Sequence, residues 1–182
     1  MSKPAIFLDR DGTLVEEVNY LHRPEDMRLF PSTALALRSL KDAGFALIVV
    51  TNQSGIGRGI YGEGDMETVH SELQKQVGGI LDGFYHCPHL PCDGCKCRKP
   101  GLKMVHDAQR NLDLDLNSSW MIGDKKIDVE TGHAGGMRTA LVLTGYGRSH
   151  QAELQQQPTV IATDLGDAAD QIIALTAAKV VV

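Results

Sequence analysis

No apolar run in the 182-residue chain approaches the ~20 residues that a membrane-spanning helix needs; the longest, such as Phe45 to Val50, stop far short of it. An excess of cations is missing too. The formal net charge is −5, so there is no basic surplus to neutralise a nucleic-acid backbone, and broad nucleic-acid binding is excluded. No apolar segment stands behind a basic start: Met1-Ser2-Lys3 leads straight into a short strand-like run. A secretory signal is therefore not expected, and the reducing cytoplasm is the expected compartment. Cysteine is missing from all of the chain but one place, with all four between Cys87 and Cys97. A disulfide framework would spread its cysteines to staple distant segments, so this crowding points to a bound metal. Internal repeats, low-complexity tracts and linkers are also lacking.

What is there fits one α/β domain over residues 1–182, long enough for a proper core. The composition, 42% hydrophobic and 23% charged, is that of a soluble globular chain. Pro4 to Leu8 predicts a buried strand, and Phe45 to Val50, continuously apolar and rich in β-branched residues, a central parallel one. Phe84-Tyr85, Trp120 to Ile122, Thr139 to Leu143 and Thr159 to Ala162 predict further strands. Ser32 or Thr33 is placed to cap a helix carrying Leu37 and Leu40, with Gly44 past its end. Asp65 is expected to cap the next, where Met66, Val69, Leu73 and Val77 share a face. Pro100 suits the first turn of a helix with Val105, Ala108 and Leu112, and a last helix is expected from about Asp167 to Ala177.

Strand and helix alternate along the whole chain, which predicts a Rossmann-like, doubly wound parallel sheet. Ligands of such sheets bind at the carboxyl ends of the strands. Asp9 and Asp11 follow the first strand, Thr51-Asn52 the second, and Asp124 the strand containing Trp120, so these scattered residues should meet at one edge.

Two carboxylates leaving one strand, Asp9 and Asp11, repel unless a cation or a shared proton compensates. Mg²⁺ takes oxygen ligands of this kind, and Asp124 and Asp128 could complete the acidic pocket. A phosphoryl group brought there faces Asp9 as a carboxylate nucleophile that forms an aspartyl-phosphate. Asp11 is placed to protonate the leaving oxygen and then to activate water. Thr51 offers a hydroxyl, Asn52 a backbone N–H and Lys99 a positive charge to the phosphoryl oxygens. Each fragment alone is ordinary, since Asp-Gly is a common turn signal; their order and strand-end placement give them weight.

Asp9-Arg10-Asp11-Gly12-Thr13, Thr51-Asn52, Arg98-Lys99 and Gly123-Asp124 together resemble the four signatures of the haloacid dehalogenase (HAD) superfamily of phosphatases. The resemblance implies Mg²⁺ held by Asp9, the main-chain carbonyl of Asp11, and Asp124. It also implies that Asp9 is the nucleophile and Asp11 the general acid/base, with Asp128 either supporting the metal-holding residues from behind or a weaker contributor.

Cys87-Pro88-His89 and Cys95-Lys96-Cys97 offer three thiolates and an imidazole, a closed tetrahedral set for structural Zn²⁺. Cys92, inside the loop, and the adjacent His86 are alternative ligands. Arg98 and Lys99 follow Cys97 directly, so a folded zinc loop, residues 86–98, would fix the approach of both cations to the phosphate pocket.

Only residues 14–30 separate the first signature from the first helix, too few for a separate cap domain, so loops should cover the site. Glu17, Asn19, Tyr20 and Arg58 are candidates for its mouth. Within the superfamily, the zinc loop and Cys97-Arg98-Lys99-Pro100 are similar to two phosphatase families, one acting on a heptose bisphosphate and one on histidinol phosphate. Asn19-Tyr20-Leu21-His22, the segment Thr51 to Gly59 with its Arg58, and Lys125 after Asp124 favour the first. That resemblance implies substrate contacts from Glu17, Val18, Asn19 and Tyr20, from Asn52, Gln53, Ser54 and Arg58, and from Arg98 and Lys125. It further implies a small phosphosugar as partner, in the supply of nucleotide-activated heptose for lipopolysaccharide core or S-layer precursors. Two departures stand out, a short zinc loop and the extra Cys92. A bisphosphate needs cations beyond the reacting centre, which Arg98, Lys125 and Arg58 provide, whereas histidinol phosphate carries its own cation. A monomer is expected. The competing class is a phosphoacceptor or zinc-binding module, for which an acid/base beside the phosphorylated residue would have no use.

Overall fold

Ala5–Leu8 (β1) is buried at every position, as a strand covered on both faces must be. In the computed structural model, which describes residues 2–178, it lies at the centre of a six-stranded parallel sheet ordered β3-β2-β1-β4-β5-β6. The other strands are Ala46–Asn52 (β2), Gly83–Cys87 (β3), Trp120–Gly123 (β4), Arg138–Val142 (β5) and Val160–Ala162 (β6). Register is set by the buried alternation: Ile6 pairs with Leu47 of β2 on one side and with Trp120 of β4 on the other.

Side chains leave β1 toward two separate cores. Ile6 and Leu8 pack with Leu37, Val69 and Ile172, from helices α1 (Thr33–Asp42), α3 (Glu63–Gln76) and α7 (Leu165–Ala177). Ala5 and Phe7 pack on the other face with Met104, Val105 and Ala108 of α4 (Lys103–Leu112). Helix α5 (Lys126–Ala134) lies against β4 and β5. The expected doubly wound sheet is therefore formed, and its order reverses between β1 and β4, the place where such folds open a crevice.

Local signals met tertiary demands at several points. Neither Ser32 nor Thr33 caps α1 through its side chain; the Thr33 hydroxyl donates instead to the Leu14 carbonyl (2.8 Å), tying the loop after β1 to the helix. Asp65 acts from the third position of α3, reaching back to accept from Gly62 N–H. Pro100 lies in a turn three residues ahead of α4, and Leu112 ends that helix 36% exposed rather than in the core. Strand β3 is longer than Phe84-Tyr85, and α7 starts earlier than expected, capped by Asp164 accepting from Asp167 N–H. Three helices were not expected: α2 (Ser54–Gly57), α5 and α6 (Gly147–Gln151).

Candidate active site

Asp9 is the first residue beyond β1, 4% exposed, with its N–H donating to the Ile122 carbonyl of β4 (2.9 Å). The chain then doubles back, Arg10 O accepting from Leu14 N–H (2.9 Å) and Gly12 N–H donating to Val15 O (2.8 Å). Gly12 has φ +83°, and a Cβ there would come 2.1 Å from Asp124 Oδ2, so the turn brings backbone where only glycine fits. Asp124, entirely buried after β4, is braced from a third loop, where Tyr146 N–H donates to its Oδ2 (2.8 Å) and Thr144 Oγ1 donates to Gly12 O (2.6 Å).

Asp9, Asp124 and Asp128 bring carboxylate oxygens within 4.8 Å of one another. Lys99 enters this acidic cluster 4% exposed, its Nζ 2.9 Å from Asp9 Oδ1, 2.7 Å from Asp128 Oδ1, and donating to the Val50 carbonyl (2.9 Å). Its backbone is fixed as well, because Asn52 Oδ1 accepts from Lys99 N–H (3.0 Å). Lys125 Nζ stands 3.9 Å from Asp9 Oδ2 and 3.6 Å from Asp124 Oδ1.

Burial alone would raise the Asp9 carboxyl, but the Lys99 and Lys125 ammonium groups outweigh it and hold Asp9 below the ordinary carboxylate range. Asp9 is thus kept ionised. Burial, and then the Asp9 charge, push Asp124 up to about 8. Its Oδ1 is buried without a hydrogen-bond partner. A buried carboxylate oxygen that accepts no hydrogen bond, beside two more carboxylates, fits a hard divalent cation, which takes such oxygens as ligands. Burial also opposes the charge on Lys99, yet Asp128 and Asp9 hold it above the ordinary lysine value.

Asp11 turns the other way. It lines a cavity of about 230 Å³ together with Glu17, Tyr20, Gln53, Lys125 and Tyr146. Its carboxylate accepts from Arg10 Nη2 (3.0 Å) and from Gln53 Nε2 (2.9 Å). Arg10 is completely buried, and its Nη2 also donates to Gln53 Oε1 (3.0 Å), which accepts in turn from Tyr61 Oη (2.5 Å). Gln53 Nε2 further donates to Thr51 Oγ1 (2.7 Å).

The structure brings Asp9, Lys99 and Asp124 together and gathers Asp11, Glu17, Val18, Asn19, Tyr20, Asn52, Gln53, Ser54 and Lys125 around the neighbouring cavity. Glu17 and Lys125 pair across its mouth at 3.1 Å. Arg58 is exposed beyond α2, and Arg98 donates to the His89 carbonyl (3.3 Å); neither lines the cavity. Arg10, Tyr61 and Tyr146 were missed. Tyr146, whose ring lies 5.1 Å from Lys125 Nζ, follows a Gly145 that reads as a routine turn.

The zinc candidates converge outside this cavity. Cys87, His89, Cys95 and Cys97 form one cluster, with Sγ atoms 3.6 Å (Cys87–Cys95), 3.2 Å (Cys87–Cys97) and 3.6 Å (Cys95–Cys97) apart. His89 Nδ1 lies 3.2 Å from Cys97 Sγ. Tetrahedral Zn–S bonds of about 2.3 Å require sulfurs about 3.8 Å apart, so the set fits that ion with small adjustments. Cys92 is exposed outside the cluster, and His86 pairs with Glu63 (2.7 Å).

A doubly wound sheet carrying Asp9, Thr51, Lys99 and Asp124 at its carboxyl edge defines a HAD-like phosphatase, and a HAD-hydrolase-like family model matches residues 96–168. By its relatives the chain belongs to the D-glycero-D-manno-heptose-1,7-bisphosphate 7-phosphatase family. It is 36% identical to the D-glycero-beta-D-manno-heptose-1,7-bisphosphate 7-phosphatase of Haemophilus ducreyi, covering 92% of this chain and 97% of that protein. It is 40% identical to the D-glycero-D-manno-heptose-1,7-bisphosphate 7-phosphatase of Thermosynechococcus vestitus, covering 94% and 96%. Among solved structures, the D,D-heptose 1,7-bisphosphate phosphatase of B. bronchiseptica, complexed with magnesium and phosphate, superposes with a TM-score of 0.87 at 30% identity, over 94% of this chain and 99% of that one.

Proposed function

We propose that this chain removes the 7-phosphate of D-glycero-D-manno-heptose 1,7-bisphosphate through a phosphoryl group carried on Asp9. The observation that carries the reading is the buried Lys99 ammonium, 2.9 Å from Asp9 and 2.7 Å from Asp128, which keeps one carboxylate ionised where a phosphate must approach. Asp9 attacks phosphorus as the bond to the sugar oxygen O7 breaks, and Asp11 gives its proton to O7. Asp11, then a carboxylate, takes a proton from the water whose oxygen attacks phosphorus, which breaks the Asp9–phosphorus bond and restores both residues. Thr51 Oγ and the Asn52 N–H, with Lys99, hold the phosphoryl oxygens.

Asp9, the Asp11 carbonyl and Asp124 are the residues that would hold Mg²⁺, which supplies charge neutralisation between carboxylates and phosphate. Cys87, His89, Cys95 and Cys97 would hold a structural Zn²⁺ and so set the loop of residues 86–98 that delivers Arg98 and Lys99. Lys125 at the cavity, with Arg58 and Arg98 beyond it, suits a second phosphate better than an amine. The relatives' printed names support the same substrate. The reading carries with it one domain over residues 1–182, cytoplasmic location, action as a monomer, a role in supplying nucleotide-activated heptose, and no nucleic-acid or membrane partner. Among the described residues no helix is long and apolar enough to cross a membrane.

Phosphate release by the purified protein with Mg²⁺ from the heptose bisphosphate, histidinol phosphate and fructose 1,6-bisphosphate is the test. The heptose ester should give the highest kcat/KM, with activity lost in Asp9→Asn. A higher kcat/KM on histidinol phosphate would replace the substrate, and folded protein inert on all three would replace the enzyme with a phosphoacceptor module.

A further inference from the structure

Gln53 sits between two groups that the reaction needs, and its amide can face only one way. Arg10 can only donate and the Asp11 carboxylate can only accept. Gln53 Oε1 must therefore turn to Arg10 Nη2 (3.0 Å), and Nε2 to Asp11 Oδ2 (2.9 Å) and Thr51 Oγ1 (2.7 Å). Tyr61 Oη completes the set on Oε1 at 2.5 Å. Burial pushes the Tyr61 hydroxyl up to about 12, so it remains a donor across the working pH range. The ring is 7% exposed, stacked on His22 at 5.5 Å, and lies where a Cβ on Gly55 would come within 2.1 Å of it.

We infer that Tyr61, through Gln53, is a positioning residue for both Asp11 and Thr51. This rests on the phosphatase reading above. Because Gln53 donates to Thr51 Oγ1, the Thr51 proton is left for an acceptor outside the protein, which in the reaction is a phosphoryl oxygen. Arg10 Nε (3.1 Å) and Nη2 (3.0 Å) donate to Asp11 Oδ1 and Gln53 Nε2 (2.9 Å) to Oδ2, three donors for the carboxyl group's roughly four lone-pair positions, so one position of this cavity-lining residue is left to carry the proton. Tyr61 also lines the cavity, but its hydroxyl is spent on Gln53 Oε1, so it acts on Asp11 and Thr51 through the amide that orders both.

The test is Tyr61→Phe, which keeps the ring and its stacking and deletes one hydroxyl. Two monophosphate esters are compared with Mg²⁺ present: 4-nitrophenyl phosphate, whose leaving group needs little proton assistance, and a primary alkyl phosphate, whose leaving group needs it fully. General acid catalysis contributes about 10² to 10⁴ in rate, so disordering Asp11 should lower kcat/KM, which reports the steps through transfer to Asp9, about tenfold more on the alkyl ester than on the aryl ester; kcat includes the hydrolysis step that both esters share. Arg10→Lys, which keeps a buried cation but not the fork of donors, should show the same split. Equal losses on both esters would reduce Tyr61 to a packing residue, and unchanged kinetics would remove it from the account. Wild-type protein inert on both esters would instead refute the phosphatase reading on which the inference stands.

Discussion

Among the described residues Lys99 is the only ammonium bridging Asp9 and Asp128, and replacing it by Met leaves two carboxylates, both below 10% exposure, facing each other without it. Methionine fills much of the same volume, so the loss is chiefly electrostatic. Breaking a buried ion pair from one side costs about 3–5 kcal/mol, which for a domain of this size lowers Tm by roughly 8–15 °C. The pH dependence follows from the direction of the Asp9 shift. In the wild type its carboxyl is depressed, so its contribution to stability is fully present above the ordinary aspartate value of 3.8 and is lost only as pH falls through the lower folded value. Without Lys99 burial dominates and the folded carboxyl rises above 3.8. The variant then loses stability as pH climbs from that value toward neutrality. Calorimetric unfolding without added Mg²⁺ should therefore show a larger gap between wild type and variant at pH 7.5 than at pH 5, together with a fall in kcat of about 10² to 10³. A gap of equal size at both pH values, or a gap under 1 kcal/mol, would refute the claim that Lys99 sets the ionisation of Asp9.

Cation-free Asp124 lies near 8, so Mg²⁺ binding near pH 7 should release about one proton, and affinity should climb with pH up to about 8; calorimetry in two buffers of different ionisation enthalpy reads this directly. Removing zinc should lower activity by releasing Arg98 and Lys99, while the Mg²⁺ affinity of the Asp9–Asp124 pair stays within about threefold; full activity in protein verified zinc-free would exclude the loop's role. Arg98→Ala should raise KM for the sugar bisphosphate and leave kcat/KM on an aryl phosphate unchanged; an unchanged kcat/KM on the bisphosphate would exclude Arg98 from recognition.

The central strands were legible because burial on both faces demands continuous apolar runs, and Phe45 to Val50 is one. Edge strand β3, half-buried, carries only a fragment of that signal in Phe84-Tyr85. Helix starts failed where a capping residue had a tertiary obligation: Thr33 bonds the loop after β1 instead of its own helix. At the site, Asp9, Asp11, Thr51, Lys99 and Asp124 were legible from spacing: Asp9 and Asp124 directly follow strands, Asp11 lies in the turn after β1, Thr51 near the end of β2, and Lys99 two residues past the cysteine cluster. Arg10 was not, because an arginine between two aspartates reads as a solvated turn residue, and only the fold decides that it is entirely buried. Tyr61 was hidden for the same reason. Asp128, read as a support behind the metal-holding residues or a weaker contributor, holds Lys99 at 2.7 Å while its Oδ2 accepts from Lys125 N–H, pinning the start of α5.

The most direct test of Asp9 as nucleophile is an acid quench of the protein with ³²P-labelled substrate and Mg²⁺ within the first turnover, followed by peptide mapping. The account predicts a hydroxylamine-labile phosphate on the peptide containing Asp9, absent in Asp9→Asn. Label on the peptide carrying Asp124 or Asp128, or turnover with no labelled protein at any quench time, would contradict it.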